Sequence, residues 1–236
     1  MTDFSKLLAL ETATLEVGAA VFERDRVVWS VSTRPGRLHV ETLHPAIERV
    51  LLDSDTDPSE LDAIAVDVGP GLFTGLRVGI AAAKAVALAL SVPIAAVRST
   101  EALKEMARRV LGDDVSIVPL VDMRRGEVAW EIEDGVLEFG TIATMVRRLA
   151  PDANVRLVGD GTRRLGDELA SLPHVEVVAD EALWAPSVEA VGLIGADRLR
   201  RGLVTDAVSL EPVYLRPADA VANFQTRESS MFGTPR

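Results

Sequence analysis

The run Gly69-Pro70-Gly71-Leu72-Phe73-Thr74-Gly75 constrains the chain more than any other. It follows an apolar stretch, residues 63–68, that reads as a buried strand, and it precedes an alanine-rich run to Leu90 that reads as a long helix. Three glycines in so short a loop allow a tight turn and close approach of another backbone, and the helix behind them points its N-terminus back at the loop. That is a general anion-binding geometry, but the specific phosphate motifs are absent. Leu76-Arg77 follow Gly75 where a nucleotide triphosphatase loop would have Lys-Ser/Thr, and Thr74 stands where the third glycine of a dinucleotide fingerprint would fall. A purely structural turn and a ligand loop both satisfy these residues.

The helix after the loop carries a second constraint. Leu76, Gly79, Ala83, Val86 and Leu90 form one apolar stripe, and Val78, Ala81, Ala85 and Leu88 form another. Arg77 and Lys84 share the narrow face that remains. A helix lying on a sheet and otherwise wet needs one stripe. Two stripes predict burial on two sides, against a second helix of the same chain or against another subunit.

The pattern before and after the loop is that of an α/β protein built twice. Residues 7–10, 17–22 and 27–32 read as strands with short connections, hence an antiparallel meander. A helix follows with Leu43, Ile47, Val50 and Leu51 on one stripe, and Pro45 is expected in its first turn. Asp57-Pro58 opens a short helical turn, residues 93–97 read as a strand, and Ser99 or Thr100 is expected to cap a helix over 101–109. After Gly112-Asp113-Asp114 the order recurs: a strand over 115–122 ends on Asp122 as the first ends on Glu11. The turn Arg124-Arg125-Gly126 leads to a strand over 127–133, and a strand over 155–158 runs into Gly159-Asp160-Gly161 and a helix. This predicts a first domain over 1–112, a smaller second domain over 113–217 and a polar, mobile tail over 218–236. A last helix over about 187–201 has Ser187 as its cap and Gly202 as its stop.

Composition narrows the function classes. The chain has 36 acidic against 25 basic side chains, a formal charge of −11, so it is not expected to grip nucleic acid by itself. The pairs Arg147–Arg148 and Arg163–Arg164 and the group Arg198, Arg200 and Arg201 read as solvated helix faces. No cysteine is present, which excludes disulfides and thiolate metal sites. No uncharged apolar run reaches the roughly 18 residues of a membrane span, and the first residues lack a signal-peptide pattern, so a cytoplasmic protein is expected. Glu41 and His44 are spaced to share a helix face but His39 is not, so a structural or interface role is expected of them rather than metal binding. His174, beside Pro173, is expected to be exposed.

The stretch from Gly69 through Leu76-Arg77-Val78-Gly79 resembles the signature motif of the TsaB (YeaZ) family, with Leu72 where Ser is usual. Leu8-Ala9-Leu10-Glu11-Thr12, His39-Val40-Glu41, the segment from Val121 to Val128, and Pro212-Val213-Tyr214-Leu215-Arg216 resemble further family elements in order. The resemblance implies an actin-like fold of two related α/β domains (the ASKHA, ribonuclease H-like class). It implies an accessory, non-catalytic subunit in the synthesis of threonylcarbamoyladenosine in tRNA, paired with the catalytic homologue TsaD and assembled with the ATPase TsaE. It also implies a homodimer when alone, contact with tRNA only through the complex, and no membrane. The partner interface is expected at Val78, Ala81, Ala85, Leu88, His39 and Glu41. The sibling's His-x-x-x-His metal site falls here on Ser99 and Leu103, and Leu cannot ligate a metal. No cofactor is required. Acids at the ends of equivalent strands help hold Mg–nucleotide in other members of the fold, so Glu11, Thr12, Gly69, Gly71 and Asp122 leave room for weak ATP or ADP binding with Mg; relic carboxylates satisfied by local backbone donors are the alternative. The competing readings are an actin-like nucleotide hydrolase and a metallopeptidase-like enzyme.

Overall fold

The computed structural model describes residues 4–215 apart from 35, 37, 134, 150–153 and 166–173; the expected tail lies outside the described residues. Strands β1 (Lys6–Glu11), β2 (Val17–Glu23) and β4 (Ala63–Asp67) are near-continuous apolar runs, buried on both faces. Such strands need helices on both sides of the sheet. Helices α1 (His39–Asp53) and α2 (Phe73–Leu90) cover one face, where Leu8, Leu10, Val66, Ile80 and Ala83 pack. Helices α3 (Ser99–Leu111) and α5 (Val188–Arg200) cover the other, against Leu7, Ala9, Ala65 and Val97. Strand β3 (Arg26–Thr33) lies at the edge and is more exposed, and β5 (Ile94–Val97) is the far edge.

The first sheet runs β3-β2-β1-β4-β5. The first three strands are antiparallel, and β1, β4 and β5 are parallel. A second sheet is built from β6 (Ser116–Asp122), β7 (Glu127–Trp130), β8 (Glu138–Thr141), β9 (Val155–Val158) and β10 (Val175–Val177), in the order β10-β9-β6-β7-β8. Read from its meander edge, the order and the strand directions repeat those of the first sheet. The duplication expected from the sequence is therefore a repeat of topology. Helix α4 (Ile142–Arg148), capped by Thr141, packs in the second core with Trp130 and Leu157.

The closing segment of the second domain expected over 113–217 packs elsewhere than the sequence suggested. The second half does not keep residues 188–213 for itself: α5 returns to the first sheet, where Gly192 lies against Phe22 and Gly195 against Ala65. The segment after it stays there too, with Thr205 N donating to Ile94 O and Val213 N to Val68 O. The physical reason is burial. Ala9, Ala65 and Ala95 leave a shallow apolar face on the first sheet, and the small residues of α5 fit it closely. Helix α3 joins the halves, since Ala102 packs in the first core while Leu103 and Ala107 pack against Ile117 and Val121.

Three local expectations also change. Helix α1 begins at His39, so Pro45 lies in its second turn and not its first. Strand β7 stops at Trp130; β8, which the sequence pattern did not mark, follows it, and then α4, of which the sequence marked only the Arg147–Arg148 pair. Neither Ser99 nor Thr100 caps α3: both lie inside the helix, and their hydroxyls are taken by Asp67 and Glu131.

Candidate functional site

The glycine loop lies on the turn that follows β1. Leu72 N donates to Ala13 O at 2.7 Å, and Thr12 Oγ1 donates to Gly75 O at 2.9 Å. A β-carbon on Gly71 would fall 2.2 Å from Ala13 O, and one on Gly75 would fall 2.1 Å from Thr12 O. Gly71 and Gly75 are therefore closed against the chain's own backbone. The structural turn is the reading the packing supports. Glu11, Thr12, Gly69 and Gly71 lie in or beneath this contact; of the five residues expected at a nucleotide site, Asp122 alone is among the described residues that line the cleft between the halves.

Beneath the loop two acids sit at the ends of adjacent parallel strands. Glu11 Oε1 accepts from Ala13 N at 2.7 Å. Asp67 Oδ1 accepts from Gly69 N and from the Ser99 hydroxyl, each at 2.7 Å, while its Oδ2 has no hydrogen-bond partner among the described residues. Burial, with the neighbouring Asp67 charge added, pushes the Glu11 carboxyl well above the usual range. Burial raises Asp67 to about 7, against the hydrogen bonds from Gly69 and Ser99. Ser99 is thus committed to Asp67, and Leu103 is buried between the two halves.

The cleft between the halves is a cavity of about 270 Å³, walled by Thr14, Leu15 and Arg34 from the first and by Asp122, Arg124, Arg163 and Trp184 from the second, among others. The β6–β7 turn enters it through three consecutive left-handed residues, Arg124 (φ 64°), Arg125 (φ 56°) and Gly126 (φ 80°). Asp122 is not open to a cation. Its Oδ2 takes Arg124 Nη1 at 3.0 Å and Arg164 Nη2 at 2.9 Å, and its Oδ1 takes Arg124 N at 2.8 Å. With Glu11 turned onto Ala13 and Asp122 held by two guanidiniums, these acids do not fit a Mg–nucleotide. Asp160 Oδ1 accepts from Asp122 N, and burial, with the Asp122 charge, raises its carboxyl to about 6. Arg163 and Arg164, expected on a solvated helix face, are exposed but wall this cleft from a short 3-10 turn, Asp160–Arg164; the rest of the expected helix lies outside the described residues. Arg34 and Trp184 also line the cleft, and no motif in the sequence points to them, because a lone arginine or tryptophan gives no local sign of what it faces.

The outer face of α2 is the other candidate. Gly75, Leu76, Gly79, Ile80, Ala83 and Ala87 are buried. Val86 and Leu90, expected in that stripe, are half-buried, because the stripe follows Leu76-Ile80-Ala83-Ala87 across the sheet. Ala81, Ala85 and Leu88 are exposed and Val78 is half-buried, with Leu88 at 61%. Beside them Arg77 stacks 3.8 Å from the centre of the Phe73 ring and donates to Tyr214 Oη at 2.9 Å. By length and composition α2 could cross a membrane, yet its buried face lies on the sheet as a core helix does. Glu41 is exposed on α1. His39 is not available as a contact residue: it is 2% exposed, and its Nε2 donates to Thr14 O at 2.7 Å, bracing the turn that carries the loop. His44 instead faces Glu48 at 3.2 Å.

Comparison with known proteins agrees with this architecture. The family described as "TsaD: tRNA N6-adenosine threonylcarbamoyltransferase" matches residues 32–224. The chain is 34% identical over 154 residues to the tRNA threonylcarbamoyladenosine biosynthesis protein TsaB of Bacillus subtilis, a match that covers 64% of this chain and spans 62% of that protein. It is 27% identical over 221 residues to TsaB of Escherichia coli, covering 89% of this chain and 94% of that one. The solved structure of YeaZ from Pseudomonas aeruginosa superposes with a TM-score of 0.73 at 26% identity, covering 90% of this chain and all of that chain (100%).

Proposed function

Because the chain belongs to the TsaB (YeaZ) family of tRNA threonylcarbamoyladenosine biosynthesis, with its α/β actin-like fold, we propose that it is the non-catalytic accessory subunit that pairs with the TsaD homologue of its cell. TsaE joins the larger assembly, and tRNA is met in the cytoplasm through that complex and not by this chain alone. The observation that carries the reading is the outward face of α2. Ala81, Ala85 and Leu88 are bare while the opposite face of the same helix is buried. Alanine at two of these positions lets a partner helix come close, and Leu88 supplies the larger apolar contact. In the absence of TsaD the same face meets a second copy of the chain.

Two further observations support a subunit without chemistry of its own. Ser99 and Leu103 stand at the positions of the catalytic sibling's metal ligands, one bound to Asp67 and the other buried. The acids at the strand ends are each engaged by the chain's own donors. No cofactor is needed for the pairing role. The test is reconstitution. Expressed together, the chain and the TsaD homologue of the same cell should co-purify, and threonylcarbamoyladenosine should form with the complete set but not with this chain alone. Turnover by the isolated chain, or TsaD emerging without it, would overturn the proposal.

A further inference from the structure

The glycine loop is clasped at its near end by one carboxylate. Gly69 N and the Ser99 hydroxyl both donate to Asp67 Oδ1 at 2.7 Å, and Ser99 N donates to Gly69 O at 3.0 Å. The far end of the loop is held to the turn after β1, by Leu72 N on Ala13 O and by Thr12 Oγ1 on Gly75 O. Asp67 Oδ2 lies inside this closure, fully buried and without a hydrogen-bond partner among the described residues. The groups that face Asp67 bring it no positive charge. On β1, beside it in the sheet, is the buried Glu11, with Glu16 next to that on the turn. From α1, His39 is taken up by Thr14 O. From α3 comes Glu101, which engages Arg98 and, on α5, Arg198. Arg77 on the first turn of α2 is turned outward to Phe73 and Tyr214. A buried carboxylate oxygen with neither a donor nor a cation is far less stable charged than neutral. Here burial outweighs the two hydrogen bonds and raises Asp67 to about 7.

We propose that Asp67 is a proton-operated latch on the glycine loop. With the proton in place the loop stays closed on the turn after β1; without it the loop and the first turn of α2 open and admit water to Oδ2. The loop is the part that can yield. Strand β4 and helix α3, on either side of Asp67, are packed into the cores, whereas residues 69–72 belong to neither helix nor strand. Opening hydrates the charge and breaks only the few hydrogen bonds that close the loop, a local event well short of unfolding. The first turn of α2 carries Phe73 and Arg77, so the latch sets the order of one end of that helix's outer face. The inference does not depend on the pairing with TsaD.

The test is amide hydrogen exchange of the isolated full-length chain, read by mass spectrometry from about pH 6 to about pH 8.5. Each rate is divided by the intrinsic rate at that pH, so that opening alone is compared. The amides between Gly69 and Leu76 should lose about tenfold in protection over this range, the change that one pH unit below a value of about 7 gives. Strand β6 should keep its protection. Asp67→Asn retains an acceptor for Gly69 N and Ser99 but cannot ionise, so its loop protection should be flat with pH. Glu11→Gln retains an acceptor for Ala13 N, and there the loss with pH should persist. If Asp67→Asn does not fold, the wild-type profile and Glu11→Gln still decide. Flat loop protection in the wild type, a loss that persists in Asp67→Asn, a loss that disappears in Glu11→Gln, or an equal loss in β6 would each overturn the proposal.

Discussion

Gly75 has no room for a methyl group. Its added β-carbon would sit 2.1 Å from a backbone oxygen of Thr12 and 3.1 Å from the buried His39 ring, so no flexible side chain can yield. Gly75→Ala should cost on the order of 2–4 kcal/mol, measured by urea unfolding, and a loss below about 1 kcal/mol would show that the loop is not fixed to the β1–β2 turn. Asp67 makes a different prediction. Its folded-state value, about 7, lies above the unfolded one. In the window between the two the folded state keeps a proton that the unfolded chain has lost, so this group's contribution to stability falls as pH rises. Asp67→Asn keeps an oxygen for Gly69 N and Ser99. Between about pH 4 and pH 8 it should lose on the order of 2–4 kcal/mol less than the wild type; parallel stability–pH curves would refute the raised carboxyl. The glycines were legible in the sequence as a tight loop, but what they touch was not, because Thr12 and Ala13 lie some sixty residues away along the chain. The commitment of Ser99 to Asp67 was hidden for the same reason: a serine before an acidic helix start reads as a cap until a distant carboxylate claims its hydroxyl.

Among the elements, α2 serves two neighbourhoods with one short sequence. Its inner stripe packs on the sheet and its outer residues are open, so a substitution on the outside should separate folding from association. Ala85→Glu should leave the melting of the isolated chain within about 0.5 kcal/mol of wild type, since both residues favour helix and the site is wet. The same change should abolish most pairing with TsaD, because an unpaired carboxylate buried in the contact costs about 3–5 kcal/mol. A marked drop in melting temperature of the monomer would place Ala85 in the core; normal TsaD binding would place the interface elsewhere. The meander, the loop–helix unit and the return of the pattern after Gly112 were readable because each rests on local periodicity. Strand β8 and helix α4 were not, since a four-residue strand and a seven-residue helix are too short to show a period.

In the molecule as a whole, α3 ties the two sheets with charge as well as with apolar contact. Glu131, 2% exposed at the end of β7, accepts from Thr100 Oγ1 at 2.8 Å and from Lys104 Nζ at 3.3 Å, both on α3. Arg98 Nη1 stands 3.7 Å away and offsets part of the charge. Lys104→Met should therefore cost about 1–3 kcal/mol, less than a buried pair without such support, and a gain in stability would mean that desolvation outweighs the pairing. Which half each segment joins was beyond local pattern: Ser187, Gly202 and the apolar positions between them mark α5 as a helix, but nothing nearby says which sheet it covers. That it covers the first sheet has a consequence for synthesis. As the chain leaves the ribosome, the face made by Leu7, Ala9, Ala65 and Ala95 has α3 but not α5 to cover it while the whole second sheet is made. The earliest strands are therefore among the last to be sealed, and the nascent protein carries an open apolar surface until residue 200 has emerged from the exit tunnel.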